Sequence, residues 1–438
     1  MLVGALAAGC NASGQQPDVV LVVVDTLRAD HLGSYGFPLP TSPQLDRFAG
    51  EAVVFERALA ASSNTVPSHA SLMTSRFVRG HSVGSINGST RLQGRVTLAM
   101  RFREAGYETA AFVSNFVLRH STGLDAGFEL YDDVLTEAER NRPDIFERPA
   151  DATTARALEW LAARGARPIF LFVHYQDPHG PYTPPPGWDT PFASLEGGPS
   201  RALPWLPDDD LPGGIPRYQQ LPGLDRLGQY ERRYAGEIAY FDASLGRLLA
   251  ALEARERPRV VLITADHGES FGEGGFYLGH GHATTPDLAH VPLLLRAPGL
   301  APARRTDPVH HVDVAPTLLE LAGVPAPPDA SGLALGPFLR AGKPLPVRPL
   351  FCDIGSEVSA YVGERFLRAR LSERNHPTEY AEFRWAGAQS WEPIPPVAAD
   401  QEQLAAYVRA RERLQPIPEA LSESDRARLR ALGYLEGE

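Results

Sequence analysis

Six short runs of apolar, largely β-branched residues recur through the first two thirds of the chain: Asp18 to Val24, Ala52 to Glu56, Thr109 to Ser114, Pro168 to His174, Arg259 to Ala265 and Val291 to Ala297. None alternates apolar with polar. A strand without alternation is apolar on both faces, so it belongs in a parallel sheet covered by helices on each side. Between these runs, Arg95 to Ala105, Thr153 to Arg164 and Tyr234 to Arg255 carry helical periodicity. Strands alternating with helices predict a doubly wound α/β core. The 438 residues suffice for one large domain of this type with an appended subdomain, or for two ordinary domains.

The stretch from Thr183 to Leu224 is dense in Pro and Gly, with scattered Asp and Trp. It reads as a long irregular excursion of the kind that shapes a substrate pocket. After Pro349 the pattern changes. Leu350 to Ile354 and Ala360 to Leu371 read as a strand pair, with Gly355 and Ser356 turning between them. A polar stretch and a helical tail from Ser422 to Leu435 follow, so residues 346–438 are expected to form a small α+β subdomain with a helical tail. The sequence contains no internal repeat.

The formal net charge is -11 and no Lys/Arg-rich run is present, which argues against a nucleic-acid partner. Net negative charge does not bar an anionic substrate, because metals and helix N-termini set the local field. Two cysteines, Cys10 and Cys352, exclude a disulfide framework and a cysteine-rich zinc module. Cys10 ends a small, apolar opening run and is followed by the polar Asn11 to Gln16. The pattern is that of a truncated lipoprotein signal over residues 1–16, which lacks the Lys or Arg of a full export signal. It implies an exported protein of the periplasm or outer envelope, lipid-anchored at Cys10. No later run approaches the ~20 continuous apolar residues of a membrane span.

Three polar sets fall at the carboxyl ends of expected strands, where open α/β sheets place their active sites. Asp25 follows the first run, His174 leads into Asp177 and His179, and Asp266-His267 follows the Arg259 run. Two carboxylates and an imidazole from Asp25, Asp266 and His267 suit a divalent ion: Zn, Mn, Mg or Ca. Such an ion neutralises a tetrahedral oxyanion and activates a nearby hydroxyl. Thr65 offers that hydroxyl. Pro67 suits the first turn of a helix that Ala70 to Met73 continue, so Thr65 stands at a helix N-terminus, which favours bound anions.

Asp25-Thr26-Leu27-Arg28-Ala29-Asp30, the Thr65 to Leu72 segment and Ala265-Asp266-His267-Gly268-Glu269 resemble three successive signatures of the sulfatase family. His174 to Tyr182, His290-Val291-Pro292-Leu293 and His311 to Leu319 fit the same family, and Leu432 to Leu435 is similar to the tails of bacterial members. The resemblance implies an alkaline-phosphatase-like fold over residues 17–345: a mixed, mostly parallel sheet sandwiched by helices. It makes Asp25, Asp266 and His267 metal ligands, with Thr65 as nucleophile and fourth ligand. It puts His179 on the anionic group of the substrate and His280 where the family has a sulfate-contacting Lys. Arg28 and Asp30 fall to a supporting role, and Asp313 to a structural one.

Main-type sulfatases carry at the Thr65 position a Cys or Ser that becomes formylglycine, followed by Pro-Ser-Arg. Here the residue is Thr, and His69 replaces the Arg; Thr26 replaces a metal-binding Asp and His280 the Lys. A formylglycine hydrate releases sulfate by collapsing to an aldehyde, whereas a Thr ester must be attacked by a second nucleophile. That is the habit of phosphatase and phosphodiesterase relatives. The expected function is therefore a metal-dependent hydrolase acting through a covalent Thr65 intermediate, with a phosphoester favoured over a sulfate ester. Thr65, His179 and His280 are the catalytic candidates and His69 and His282 the substrate-binding ones. Asp177, His179, His280, His282 and His311 are further candidates for a second metal or for protonating the leaving group. The substrate is a small-molecule, glycan or lipid ester. Two other functions remain open: a phosphoryl transferase modifying envelope components, and a lapsed enzyme that binds an anionic ligand.

Overall fold

The computed structural model describes residues 15–81, 83–84, 90–139, 145–197, 202–203, 215–372, 376–385 and 391–410, with 417–418, 422–423 and 426–427. Cys10 and its apolar run lie outside these residues, as does most of the expected helical tail. Asp18–Val24 is the central strand, and all seven of its residues are buried. It pairs in parallel with Ile169–Tyr175 on one side and Arg259–Ala265 on the other. Beyond Ile169–Tyr175 come Glu108–Phe112 and Leu130–Asp132, both parallel. Beyond Arg259–Ala265 come His290–Arg296, Val53–Leu59 and Ala303–Arg305. His290–Arg296 runs antiparallel to both of its neighbours, which makes the sheet mixed.

The continuous apolar runs are explained by this position. Each Val of the central strand faces a helix layer whichever way it points, and burial of such a side chain stabilises by about 1.5–3 kcal/mol. Helices Ala150–Ala162 and Leu227–Glu253 bring Ala157, Leu161, Ile238, Phe241, Leu245 and Leu248 into the core, and Thr65–Thr74 and Val314–Leu321 contribute Leu72, Met73, Leu318 and Leu319. The expected core strands and helices are present, with ends displaced by a few residues. Leu130–Asp132 is too short to stand out as an apolar run.

The C-terminal part departs from expectation. In place of one strand pair there is a five-stranded antiparallel sheet of Leu350–Asp353, Glu357–Val362, Arg365–Leu371, Pro377–Trp385 and Trp391–Ile394. The run Ala360 to Leu371 is not one strand, because Gly363 turns it at a φ of 62° that disfavours other residues. Helix Ala398–Arg409, within the stretch read as merely polar, packs Leu404 and Val408 onto this sheet. The other face of the sheet meets the core through Leu350, Cys352, Tyr361 and Phe366, which cluster with Leu59 and Ala289. Of the Thr183 to Leu224 excursion, the described parts include 3-10 segments at Thr190–Gly197 and Arg217–Gln219. Among the described residues no helix is long and apolar enough to cross a membrane.

Candidate active site

The three parallel strands at the middle of the sheet end beside one another, and their carboxyl ends deliver Asp25, His174 and Asp266 to one place. Hydrogen bonds lock the ends together: the Asp25 amide donates to the Tyr175 carbonyl at 2.9 Å and the Asp266 amide to the Val24 carbonyl at 3.3 Å. Thr26 then turns the chain through left-handed backbone, φ 54°, which is strained for a β-branched residue. The turn lets the Thr26 amide donate to Asp266 Oδ1 at 3.2 Å, and the His267 amide donates to the same oxygen at 2.8 Å. Asp266 Oδ1 is thereby occupied and Oδ2 is left for the site.

Helix Thr65–Thr74 aims its first residue at this cluster. Thr65 Oγ1 lies 3.3 Å from His267 Nε2, which is itself 3.4 Å from Asp266 Oδ2 and 4.0 Å from Asp25 Oδ1. Thr65, Asp25, Asp266 and His267 are all fully buried. The His267 ring donates through Nδ1 to the Gly268 carbonyl at 3.0 Å, so Nε2 presents a lone pair to the Thr65 hydroxyl. One turn further along, the His69 ring donates through Nδ1 to the Thr65 carbonyl at 2.8 Å.

The electrostatics of the cluster call for a cation. Burial pushes the Asp25 carboxyl up, but His179 and then His174 outweigh this and hold it well below the usual carboxylate range. Burial, reinforced by the Asp25 charge, drives Asp266 well above that range. Two carboxylates facing each other cannot both ionise without a counter-charge. Asp25 Oδ1 and Asp266 Oδ2 are buried without a hydrogen-bond partner, which is costly unless an ion fills the space. Burial, then the nearby His280, lowers His267 to about 3, leaving it neutral as a metal ligand must be. Among the described residues, Asp25, Asp266 and His267 group their ligand atoms within 4.8 Å, a set that can hold a metal ion.

The remaining candidates divide between this cluster and its surroundings. His280 packs its ring 4.5 Å from that of His267 and 5.1 Å from that of His179, so these two line the approach to Thr65. His179 donates through Nδ1 to the Gly180 carbonyl at 2.7 Å and stacks on Tyr218. His282 turns elsewhere, stacking on Phe276 at 3.8 Å with Nε2 3.4 Å from Ser270 Oγ. His311 donates to the Ala265 carbonyl at 3.0 Å and meets Ser68 Oγ at 3.0 Å, fastening helix Thr65–Thr74 to the Asp266 strand. Asp177 pairs with buried Glu237 of the long helix. Asp313 receives the amides of His310 and Leu333, at 2.9 and 2.8 Å, and the Arg348 guanidinium. Arg28 donates to the Glu269 carbonyl at 2.8 Å and pairs with Asp30 and Glu273, a supporting position.

Two contributors escaped the sequence reading. Asn115 donates from Nδ2 to Asp25 Oδ2 at 2.9 Å. It follows the strand Glu108–Phe112 at the same sheet edge, and that edge rule was the one available signal. Glu269, inside a motif but not singled out, accepts from Tyr182 at 3.0 Å and lies 3.1 Å from His280 Nδ1. Burial raises its carboxyl to about 7.

A family model described as Sulfatase matches residues 17–324. The chain belongs to the sulfatase family. It is thus a sulfatase-like hydrolase acting on ester bonds, from a metal-dependent superfamily. It is 25% identical to human (Homo sapiens) iduronate 2-sulfatase over 73% of this chain and 71% of that one. Two solved structures share its fold. One, a protein in complex with its substrate D-glucosamine-2-N,6-O-disulfate, matches with a TM-score of 0.67 at 18% identity, over 84% of this chain and 91% of the other. The second, the phosphonate monoester hydrolase of Agrobacterium radiobacter, matches with a TM-score of 0.66 at 20% identity, over 90% and 94%.

Proposed function

We propose that this sulfatase-family chain hydrolyses a phosphoester in preference to a sulfate ester, through a covalent ester on Thr65. The observation that carries the reading is the Thr65 hydroxyl itself, at the first position of a helix and 3.3 Å from His267 Nε2, against two buried carboxylates. A divalent ion bound by Asp25, Asp266, His267 and Thr65 would supply Lewis-acid neutralisation of the ester oxygens. The chain's own groups account for the remaining chemistry. Thr65 Oγ1 forms the new bond to phosphorus in line with the departing oxygen, whose bond breaks. The helix N-terminus favours the anionic group during attack. His179 and His280, with rings 5.1 Å apart, orient that group and give a proton to the leaving oxygen, replaced by the proton that Thr65 Oγ1 sheds. A water then attacks the Thr65 ester, releasing the anion and restoring the hydroxyl. The Thr ester has no aldehyde to collapse to, which is why the reading favours phosphorus, whose Thr esters are cleared by water at metal sites.

The substrate is expected to be a small-molecule or glycan ester. One solved neighbour has a sulfated sugar as substrate and another is a phosphonate monoester hydrolase. Matched aryl sulfate, aryl phosphate, aryl phosphodiester and aryl phosphonate substrates, assayed with Zn, Mn, Mg and Ca in turn, test the proposal. The expected result is metal-dependent turnover of a phosphorus ester, lowered roughly 10⁴-fold or more in Thr65→Ala, with a phosphorylated Thr65 peptide trapped by rapid acid quench. Sulfate-ester turnover without any phosphorus-ester turnover would overturn the preference, and activity surviving in Thr65→Ala would remove the nucleophile.

A further inference from the structure

A second set of donors shares Asp266. His69, one helical turn beyond Thr65, and His174, on the strand Ile169–Tyr175, set their rings 5.1 Å apart at 66°. Ligand atoms of His69, His174 and Asp266 all lie within 4.8 Å of one another. His69 is 1% exposed and the other two are 0% exposed. The His69 Nδ1 proton is committed to the Thr65 carbonyl at 2.8 Å, so Nε2 holds a bare lone pair. That Nε2, His174 Nε2 and Asp266 Oδ2 are all buried without a hydrogen-bond partner. His69 approaches Asp266 Oδ2 most closely through Nδ1, at 3.8 Å, and His174 Nε2 lies 3.5 Å from Asp25 Oδ2. Three unpartnered polar atoms on side chains grouped this closely are costly unless something occupies the space beside them.

None of the first-site ligand roles uses either imidazole. His69 stands where the family has an Arg, so a fixed positive charge has been exchanged for a neutral donor. We propose that His69, His174 and Asp266 form a second divalent-cation position beside that of Asp25, Asp266 and His267. Asp266 bridges the two, and the paired imidazoles favour a borderline transition ion such as zinc over calcium or magnesium. Occupancy has two local costs, the first being the approach of His174 Nε2 to Asp25 Oδ2 at 3.5 Å. The Ser114 amide reaches His174 Nδ1 at 3.4 Å, and an ion at Nε2 requires the ring proton on Nδ1, so this long contact is given up. The inference rests on the functional reading only through Asp266.

The test uses the full chain, stripped with a chelator, dialysed against zinc and analysed for metal content, with a zinc-edge anomalous difference map of the crystallised protein. The expected result is two zinc equivalents in the wild type, and loss of one in a His69→Asn, His174→Asn double variant. Asn at position 69 keeps a donor for the Thr65 carbonyl while removing Nε2. Zinc content left unchanged in a folded double variant, whatever the wild-type number, would overturn the proposal. Should the double variant fail to fold, the wild-type map decides. A peak in coordinating range of His69 Nε2 and His174 Nε2 supports the site, and a water there refutes it. A peak at that position alone, with none between Asp25 and His267, upholds this site and overturns the first-site reading.

Discussion

At the scale of single residues, the site is made by side chains whose hydrogen bonds leave one atom uncommitted. The Thr26 and His267 amides occupy Asp266 Oδ1 and so expose Oδ2; the Gly268 carbonyl fixes the His267 tautomer and so exposes Nε2. Asn115 does the same for Asp25 by holding Oδ2 from outside the ligand set. Outer partners of this kind tune metal affinity by about 10–100-fold. Asn115→Ala is therefore expected to weaken divalent-ion binding within that range while leaving Thr65 in place. Competition with a chromophoric chelator measures the change, and an unaltered affinity would assign Asn115 to packing. Asp25, Thr65, Asp266 and His267 were legible because each stands in an ordered signature at a strand end or helix start. Asn115 was not, since a lone Asn after a strand looks like any turn residue. The orientation of His282 toward Phe276 was equally hidden, because residue type and spacing do not say which way a loop side chain turns.

At the scale of elements, continuous apolar runs marked the strands well because being buried on both faces is a strong compositional demand. Short edge strands such as Leu130–Asp132, and the partly exposed strands Arg365–Leu371, Pro377–Trp385 and Trp391–Ile394, carry a weaker demand and were merged or missed. The long helix Leu227–Glu253 is tied to the segment after Ile169–Tyr175 by the carboxyl pair of Asp177 and Glu237. Burial raises Asp177 to about 6, against an ordinary value of 3.8, and raises Glu237 well above its ordinary range. Both folded-state values lie above the unfolded ones, so the folded chain holds protons that the unfolded chain has released. The Asp177 contribution is full below about pH 4 and is lost as pH rises through about 6, at up to ~1.4 kcal/mol per pH unit, and Glu237 acts in the same direction. Glu237→Gln removes one of the two acids and gives Asp177 an amide donor. Thermal unfolding of this variant between about pH 4 and pH 6 is expected to show a shallower fall of Tm with pH than the wild type, and an identical slope would show that the pair does not titrate as a unit.

At the scale of the whole molecule, an ion held by the buried Asp25 and Asp266 would couple folding to ion binding. An ion that binds only the folded state adds RT ln(1 + [L]/Kd), about 2.7 kcal/mol at a hundredfold excess over Kd. A chelator is accordingly expected to lower the Tm of the full chain, and added zinc or manganese to restore it; a Tm indifferent to chelation would mean that the carboxylates are settled without a cation. The loop bearing His280 is held from two sides. Ser63 Oγ donates to the Ala283 carbonyl at 2.7 Å, just before helix Thr65–Thr74. On the other side, the amide and hydroxyl of Thr284 donate to Glu357 Oε1, both at 2.9 Å, and Tyr361 donates to the Thr284 carbonyl at 2.8 Å. Glu357 and Tyr361 belong to the C-terminal sheet, which among the described residues supplies none of the Asp25, Asp266 and His267 cluster. That sheet is nonetheless the far wall against which the histidine loop is moulded. Exchanging it for the counterpart from another family member would therefore shift the His280 loop without altering one residue of that loop.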